Sequence, residues 1–149
     1  GFDDARTISF GPSNGTVRMA EAGDFDGDGR MDLVAIDEQN GIRIYSGRPG
    51  DRFSEGQSLG DDTTVPDALA VTDLNGDGRP DIIVGFVEAP SSVFVNEGQG
   101  GRFRRVMFGD DHGTVYGFAA GDLDEDGHLD IVAARSEAPS VLYLAVPPR

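Results

Sequence analysis

The chain has 149 residues, with 27 acidic against 12 basic side chains, a formal charge of −15, and no cysteine. That length suits one domain with its own core. The charge excludes the basic footprint that nucleic-acid binding needs, the lack of cysteine excludes disulfides and thiol chemistry, and no apolar run is long enough for membrane insertion.

The first element in chain order is a short strand within residues 5–11, reading Thr7-Ile-Ser-Phe10 and closed by Gly11. An apolar stretch follows at 17–23, then an aspartate-rich loop at 24–32 and the continuously apolar run Leu33-Val-Ala-Ile36. Four residues are too few for a buried helix, so this run predicts a strand covered on both faces. A turn at 38–41, a strand at 42–45 and a more polar outer strand at 53–59 complete the unit. The same order then returns 49 residues later: 68–72, a loop at 73–81, Ile82-Ile-Val-Gly85, a turn at 88–91, and strands at 92–95 and 103–108. It returns once more at 115–121, with a loop at 122–130, then Ile131-Val-Ala-Ala134, a turn at 137–140 and a strand at 141–144. No outer strand follows that third unit. The piece at the N-terminus aligns with the missing one, since Phe10-Gly11 matches Leu59-Gly60 and Phe108-Gly109.

Three units of four antiparallel strands, repeating at about 50 residues, have the size of β-propeller blades. A three-unit β-solenoid or a stack of hairpins is the alternative. The expected architecture is therefore all-β, one domain over residues 1–149, with three blades per chain.

The loops read Asp24-Phe-Asp26-Gly-Asp28-Gly29-Arg30-Met-Asp32, Asp73-Leu-Asn75-Gly-Asp77-Gly78-Arg79-Pro-Asp81 and Asp122-Leu-Asp124-Glu-Asp126-Gly127-His128-Leu-Asp130. Oxygen ligands at positions 1, 3 and 5 with glycine at 6 form the start of a calcium loop. The closing glutamate of an EF-hand is absent, because position 12 is Ala35, Val84 or Ala133. A carboxylate at position 9 closes the cage instead. Asp and Gly also make plain tight turns, but three copies at one period point to a metal. Four converging protein oxygens favour Ca²⁺ over Mg²⁺, and without cysteine Zn²⁺ and Cu²⁺ are poor candidates. These loops hold twelve acidic side chains and two arginines, so most of the negative charge is ligand density rather than an acidic tail.

With Phe10-Gly11 before Ala22-Gly23-Asp24, and Phe108-Gly109 before Ala120-Gly121-Asp122, the chain resembles the FG-GAP and VCBS repeats. These are the calcium-binding propeller blades of integrin α-subunits and many secreted bacterial proteins. The middle unit departs from the motif with Leu59-Gly60 and Val71-Thr72. The resemblance implies three Ca²⁺ per chain, held by Asp24, Asp26, Asp28 and Asp32; by Asp73, Asn75, Asp77 and Asp81; and by Asp122, Asp124, Asp126 and Asp130. Arg30, Arg79 and His128 would contribute backbone carbonyls, leaving their side chains free to vary.

Three blades cannot close a ring, since propellers have four to eight. A homodimer would give six blades, with each N-terminal strand completing the partner's last blade; the rival is a set of flanking blades in a longer parent chain. The functional expectation is a non-catalytic module for adhesion or for binding protein or carbohydrate, in an extracellular or periplasmic setting rich in calcium. The alternative is the propeller part of a secreted polysaccharide lyase or hydrolase. Against catalysis stand the absence of Lys and Cys, the lack of a G-x-S-x-G elbow, and a single plausible base outside the loops, His112.

Overall fold

The computed structural model describes residues 6–146 apart from 51, 62 and 99. Among the described residues all regular structure is β, the main sheets are antiparallel, and no helix is long and apolar enough to cross a membrane. In the first unit, β1 (Val17–Gly23), β2 (Asp32–Asp37) and β3 (Gly41–Tyr45) form a meander. The turn into β3 is held by the Asp37 carboxylate. It accepts from the Gln39 and Asn40 backbone N–H groups and from Asn40 Nδ2, and Gly41 takes the left-handed φ of 71° that the turn requires.

The outer strand expected over residues 53–59 is split. The chain first makes a small ribbon from β4 (Gly47–Arg48) and β5 (Arg52–Phe53), and only then do two residues, β6 (Gln57–Ser58), pair with β3. The cause is crowding at Gly56. A Cβ there would stand 2.6 Å from Tyr45 Cε1, and the Arg43 guanidinium takes the Gly56 carbonyl. The stretch packs on a ring and a side chain instead of lengthening the ladder.

The second unit is a complete blade of β7 (Pro66–Thr72), β8 (Asp81–Phe86), β9 (Ala89–Asn96) and β10 (Phe103–Phe108), paired in the order β10-β9-β8-β7. Its hairpin is tighter than the turn expected at 88–91. Glu88 adopts a φ of 46°, and β9 is already paired at Ala89. The third unit has three strands, β11 (Thr114–Gly121), β12 (Asp130–Ser136) and β13 (Val141–Tyr143). Each first strand has a register shift near its start, at Val17/Met19, Pro66/Ala68 and Val115/Gly117. The three units are thus repeats in backbone detail as well as in sequence.

The sheets stack with the second in the middle. Side chains alternate along a strand, so Ile82, Val84 and Phe86 of β8 join Val34, Ile36 and Ile42 of the first sheet, while Ile83 joins Ile131 of the third. All six residues of β8 are buried, as its unbroken apolar run requires. The three sheets do not close a ring. The outward face of the third sheet stays open: Leu142 and Leu144 are 47% and 50% exposed, although their counterparts Val93 and Val95 pack between sheets.

The N-terminal strand is also revised. Residue 5 lies outside the described residues, and 6–11 belong to no strand. Phe10 instead sets its ring edge-on to Tyr45 at 5.7 Å and to Phe53 at 6.1 Å. Phe108 does the same to Tyr143 at 5.0 Å, and both following glycines, Gly11 and Gly109, have φ near 80°. The aromatic–glycine pair therefore locks the entrance of the first and third units onto the third strand of the same unit, through contacts of the edge-to-face kind.

Gly85 marks the closest approach of the second and third sheets, since a Cβ there would meet Val115 Cβ at 2.7 Å and Phe118 Cε2 at 3.2 Å. Gly85→Ala should lower unfolding stability by about 1–3 kcal/mol through overpacking. Denaturant titration measures it, and an unchanged midpoint would refute this sheet spacing.

Candidate metal centres

Each loop is built on the same backbone cradle. In the first, Asp24 Oδ1 accepts from the Gly27 and Asp28 amides at 2.9 and 3.1 Å, and Oδ2 from the Gly29 amide at 2.9 Å. Asp26 Oδ1 accepts from the Asp28 amide, and Asp28 Oδ1 from the Arg30 amide. The second loop repeats all of this but the position-4 amide contact with Asp73, Asn75 and Asp77, and so does the third with Asp122, Asp124 and Asp126. These contacts fix one side of each carboxylate and aim the three side chains at a common point. Carboxylate oxygens of Asp24, Asp26 and Asp28 lie within 4.8 Å of one another, as do those of Asp122, Asp124 and Asp126. In the second loop Asn75 replaces one carboxylate and donates its Nδ2 to Asp77 at 2.9 Å.

Such a bend needs left-handed backbone at two places, where the sequence pattern marked only one. Position 6 is glycine throughout, but position 4 is also left-handed, at Gly27 (75°), Gly76 (72°) and Glu125 (62°). Glu125 lacks glycine's freedom, at a cost of about 1–2 kcal/mol.

The position-9 aspartates are fully buried, set beneath the clusters rather than among them. Asp32 accepts the Phe25 amide on Oδ2 at 2.8 Å and the Gly47 amide on Oδ1 at 2.7 Å. Asp81 does so with Leu74 and Asn96, and Asp130 with Leu123 and Ala145. Each pins its loop to the chain at, or two residues past, the end of the third strand. Every oxygen keeps a second lone pair, so the same carboxylate can also face an ion.

Equivalent aspartates differ electrostatically. Burial pushes the Asp81 carboxyl up, with the charges of Asp77 and Asp73 adding to it. The Ala145 and Leu123 amides hold Asp130 below its ordinary value in the terminal sheet. Asp26 is raised, first by desolvation and then by repulsion from Asp32, Asp28 and Asp24. A crowd of this kind is a donor set for a hard cation, being oxygen only and rich in charge.

Two of the three position-7 side chains make contacts of their own, beyond what the sequence pattern indicated. Arg30 donates Nε to the Gly47 carbonyl at 3.2 Å and pairs through Nη2 with Asp28. Arg79 donates Nε to the Asn96 carbonyl and pairs with Asp77 in the same way. His128 is exposed. Position 2 was missed altogether: Phe25 is 1% exposed and packs between the first two sheets, near the Phe103 ring. Its counterpart Leu74 packs between the second and third, whereas Leu123, with no following sheet, is 54% exposed.

Removing a position-9 carboxylate strands two inward-facing amides, each costing about 1–3 kcal/mol. Asp32→Ala should therefore destabilise by several kcal/mol even in chelator, whereas Asn75→Ala, on the exposed loop rim, should cost under about 1 kcal/mol. Thermal melts of both variants decide this, and equal losses would refute the bracing role.

Residues 24–84 and 73–133 each match the FG-GAP-like repeat. Each match opens on the first aspartate of one loop and runs through the following loop to the strand beyond. No curated protein matches the chain. With all three loops and all three inner strands covered, the chain belongs to the FG-GAP-like repeat family, and its sheets are blades of β-propeller type.

Proposed function

We propose that the chain is a non-catalytic β-propeller module for binding or adhesion outside the cytoplasm, held together by three Ca²⁺ ions. The observation that carries this reading is the threefold repetition of one amide cradle beneath converging carboxylate oxygens. Ca²⁺ suits it because it takes six to eight oxygens in flexible geometry. When bound, the ion supplies the positive charge that offsets the mutual repulsion of the aspartates. Asp24, Asp26, Asp28 and Asp32, with their counterparts in the other loops, would hold it, together with the backbone carbonyls of Arg30, Arg79 and His128. Exposed loops of this sort fill where calcium is millimolar, which favours an extracellular or periplasmic setting.

The surroundings of His112 support the non-catalytic reading. This sole candidate base is largely exposed on a loop, beside Asp111 at 3.3 Å and Asp110 at 3.6 Å. Asp110 is itself bound by Arg135. The His112 side chain is 76% exposed, so it meets water rather than an enclosed site.

The open faces support assembly. Leu142, Leu144 and Leu123 are exposed at positions whose counterparts are buried by a following sheet. A second copy, presenting the face of its first sheet, is the occupant we propose, giving a six-bladed ring; flanking blades in a longer chain would meet the same need.

Excess chelator should lower the melting temperature by at least about 5 °C, with Ca²⁺ restoring it and Mg²⁺ doing so poorly. A melt indifferent to chelator would sink the calcium reading. Light scattering should return twice the 15.8 kDa chain mass at micromolar concentration, and Leu142→Asp should halve it. A stable monomer would instead support flanking blades.

A further inference from the structure

We infer that Asn75 is a self-modification site, at which the folded chain converts a side-chain amide to a carboxylate with water as its only co-reactant. The inference concerns the chain's own chemistry and does not depend on the metal reading. Asn14, Asn40 and Asn75 are each followed by glycine. A glycine leaves its peptide nitrogen open to the preceding carboxamide carbon, because it carries no Cβ to block the approach. What separates the three pairs is the geometry around each.

In the second loop Asn75 Oδ1 accepts from the Asp77 amide at 3.0 Å, and Nδ2 donates to Asp77 Oδ2 at 2.9 Å. Both ends of the carboxamide are tied two residues ahead, which folds it back across the Gly76 peptide. The Gly76 amide is uncommitted. Its counterpart at Gly27 donates to Asp24, whereas Gly76 N–H meets no acceptor among the described residues. Asn75 and Gly76 are both exposed, and a Cβ at Gly76 would meet nothing within 4 Å, so a ring has room to close there. The other two pairs are held back. Asn40 gives its backbone amide and its Nδ2 to the Asp37 carboxylate, and Gly41 is already paired with Asp37 in the β2–β3 ladder. Gly15 turns its amide to the Pro12 carbonyl at 3.5 Å and lies against the Pro12 ring. Each must open locally before its glycine nitrogen can attack.

The chemistry balances with water alone. The Gly76 nitrogen gives its proton to water and bonds to Asn75 Cγ, forming a tetrahedral centre. The Asp77 amide donates to the oxygen on which the negative charge develops. The Cγ–Nδ2 bond then breaks, the nitrogen takes a proton from water, and ammonia leaves behind a cyclic imide. Water opens the imide at either carbonyl. One product is an aspartyl residue; the other is isoaspartyl, with the main chain routed through Cγ. The aspartyl product gives the second loop the three-carboxylate set already present at Asp24, Asp26 and Asp28 and at Asp122, Asp124 and Asp126. The isoaspartyl product lengthens the backbone inside the loop and breaks its cradle.

The test is incubation of the full chain in chelator and neutral buffer made with heavy-oxygen water. Peptide mass spectrometry follows each asparagine, and electron-transfer fragmentation separates aspartyl from isoaspartyl. In the folded chain Asn75 should convert at least about tenfold faster than Asn40 or Asn14, whose reactions wait on local opening. The product should carry the heavy oxygen. In denaturant the three rates should converge, since all three are then the same dipeptide in an open chain. Gly76→Glu should slow conversion at Asn75 by about tenfold or more, because its Cβ and side chain hinder the attacking nitrogen. Glu125 holds the same left-handed position in the third loop, so the bend accepts this residue, and circular dichroism checks that the fold is kept. Equal rates at the three sites in the folded chain, faster conversion at Asn14 or Asn40, or an undiminished rate in Gly76→Glu would each overturn the inference. So would an unchanged Asn75 over a period in which the denatured chain converts.

Discussion

Three buried carboxylates, Asp32, Asp81 and Asp130, decide how each unit of this chain can fold. A carboxylate out of water is costly unless donors surround it. Here each is met by one amide from the start of its loop and one from the chain at or just past the end of the third strand. The loop is thereby tied across the sheet, and its chain must curl back over the aspartate. The carboxylates at positions 1, 3 and 5 then have only one way to point, outward and together. Blade and acidic loop are a single construction: the residue that braces the strands also anchors the loop whose aspartates cluster.

The same tie explains how neighbouring blades join. Because the position-2 amide is drawn down to the position-9 carboxylate, the position-2 side chain is driven off the loop and into the next interface. Phe25 fills that place between the first and second sheets. Asn96, the residue whose amide meets Asp81, donates its Nδ2 to the Phe25 carbonyl at 3.0 Å. One loop's cradle is therefore hydrogen-bonded to the brace of the next. Cooperation between blades runs through the metal loops as well as through the aliphatic core.

Much of this was legible in the sequence. The 49-residue period gave the three units, the apolar runs gave β2, β8 and β12, and the alternating aspartates gave the cradles. These features are local and repeated, so each copy supports the others. What escaped depends on contacts distant in sequence. Splitting of the first outer strand follows from Gly56 meeting Tyr45, and the placement of Phe10 from a ring thirty-five positions away. The arginines at position 7 entered the sequence reading only through their backbone carbonyls, yet their guanidiniums bridge loop and strand. The left-handed residue at position 4 was partly visible, in Gly27 and Gly76, but Glu125 hid it in the third copy.

The three loops are alike in shape and unlike in balance, and the differences follow the position of each sheet in the stack. The second loop has three acidic side chains offset by Arg79, and its brace is enclosed between sheets. The first has four, offset by Arg30. The third has five, with His128 in place of the arginine and Glu125 in a strained conformation. It also belongs to the sheet whose outward face has no cover. Repulsion among carboxylates falls as opposite charge approaches, so the arginines relieve at the first two loops a crowding that no arginine relieves at the third. On the proposed reading, the unit with the least protein support is the one that would depend most on a bound cation and on a sheet covering Leu142 and Leu144. Metal occupancy and blade-to-blade assembly would then meet at that one terminal sheet.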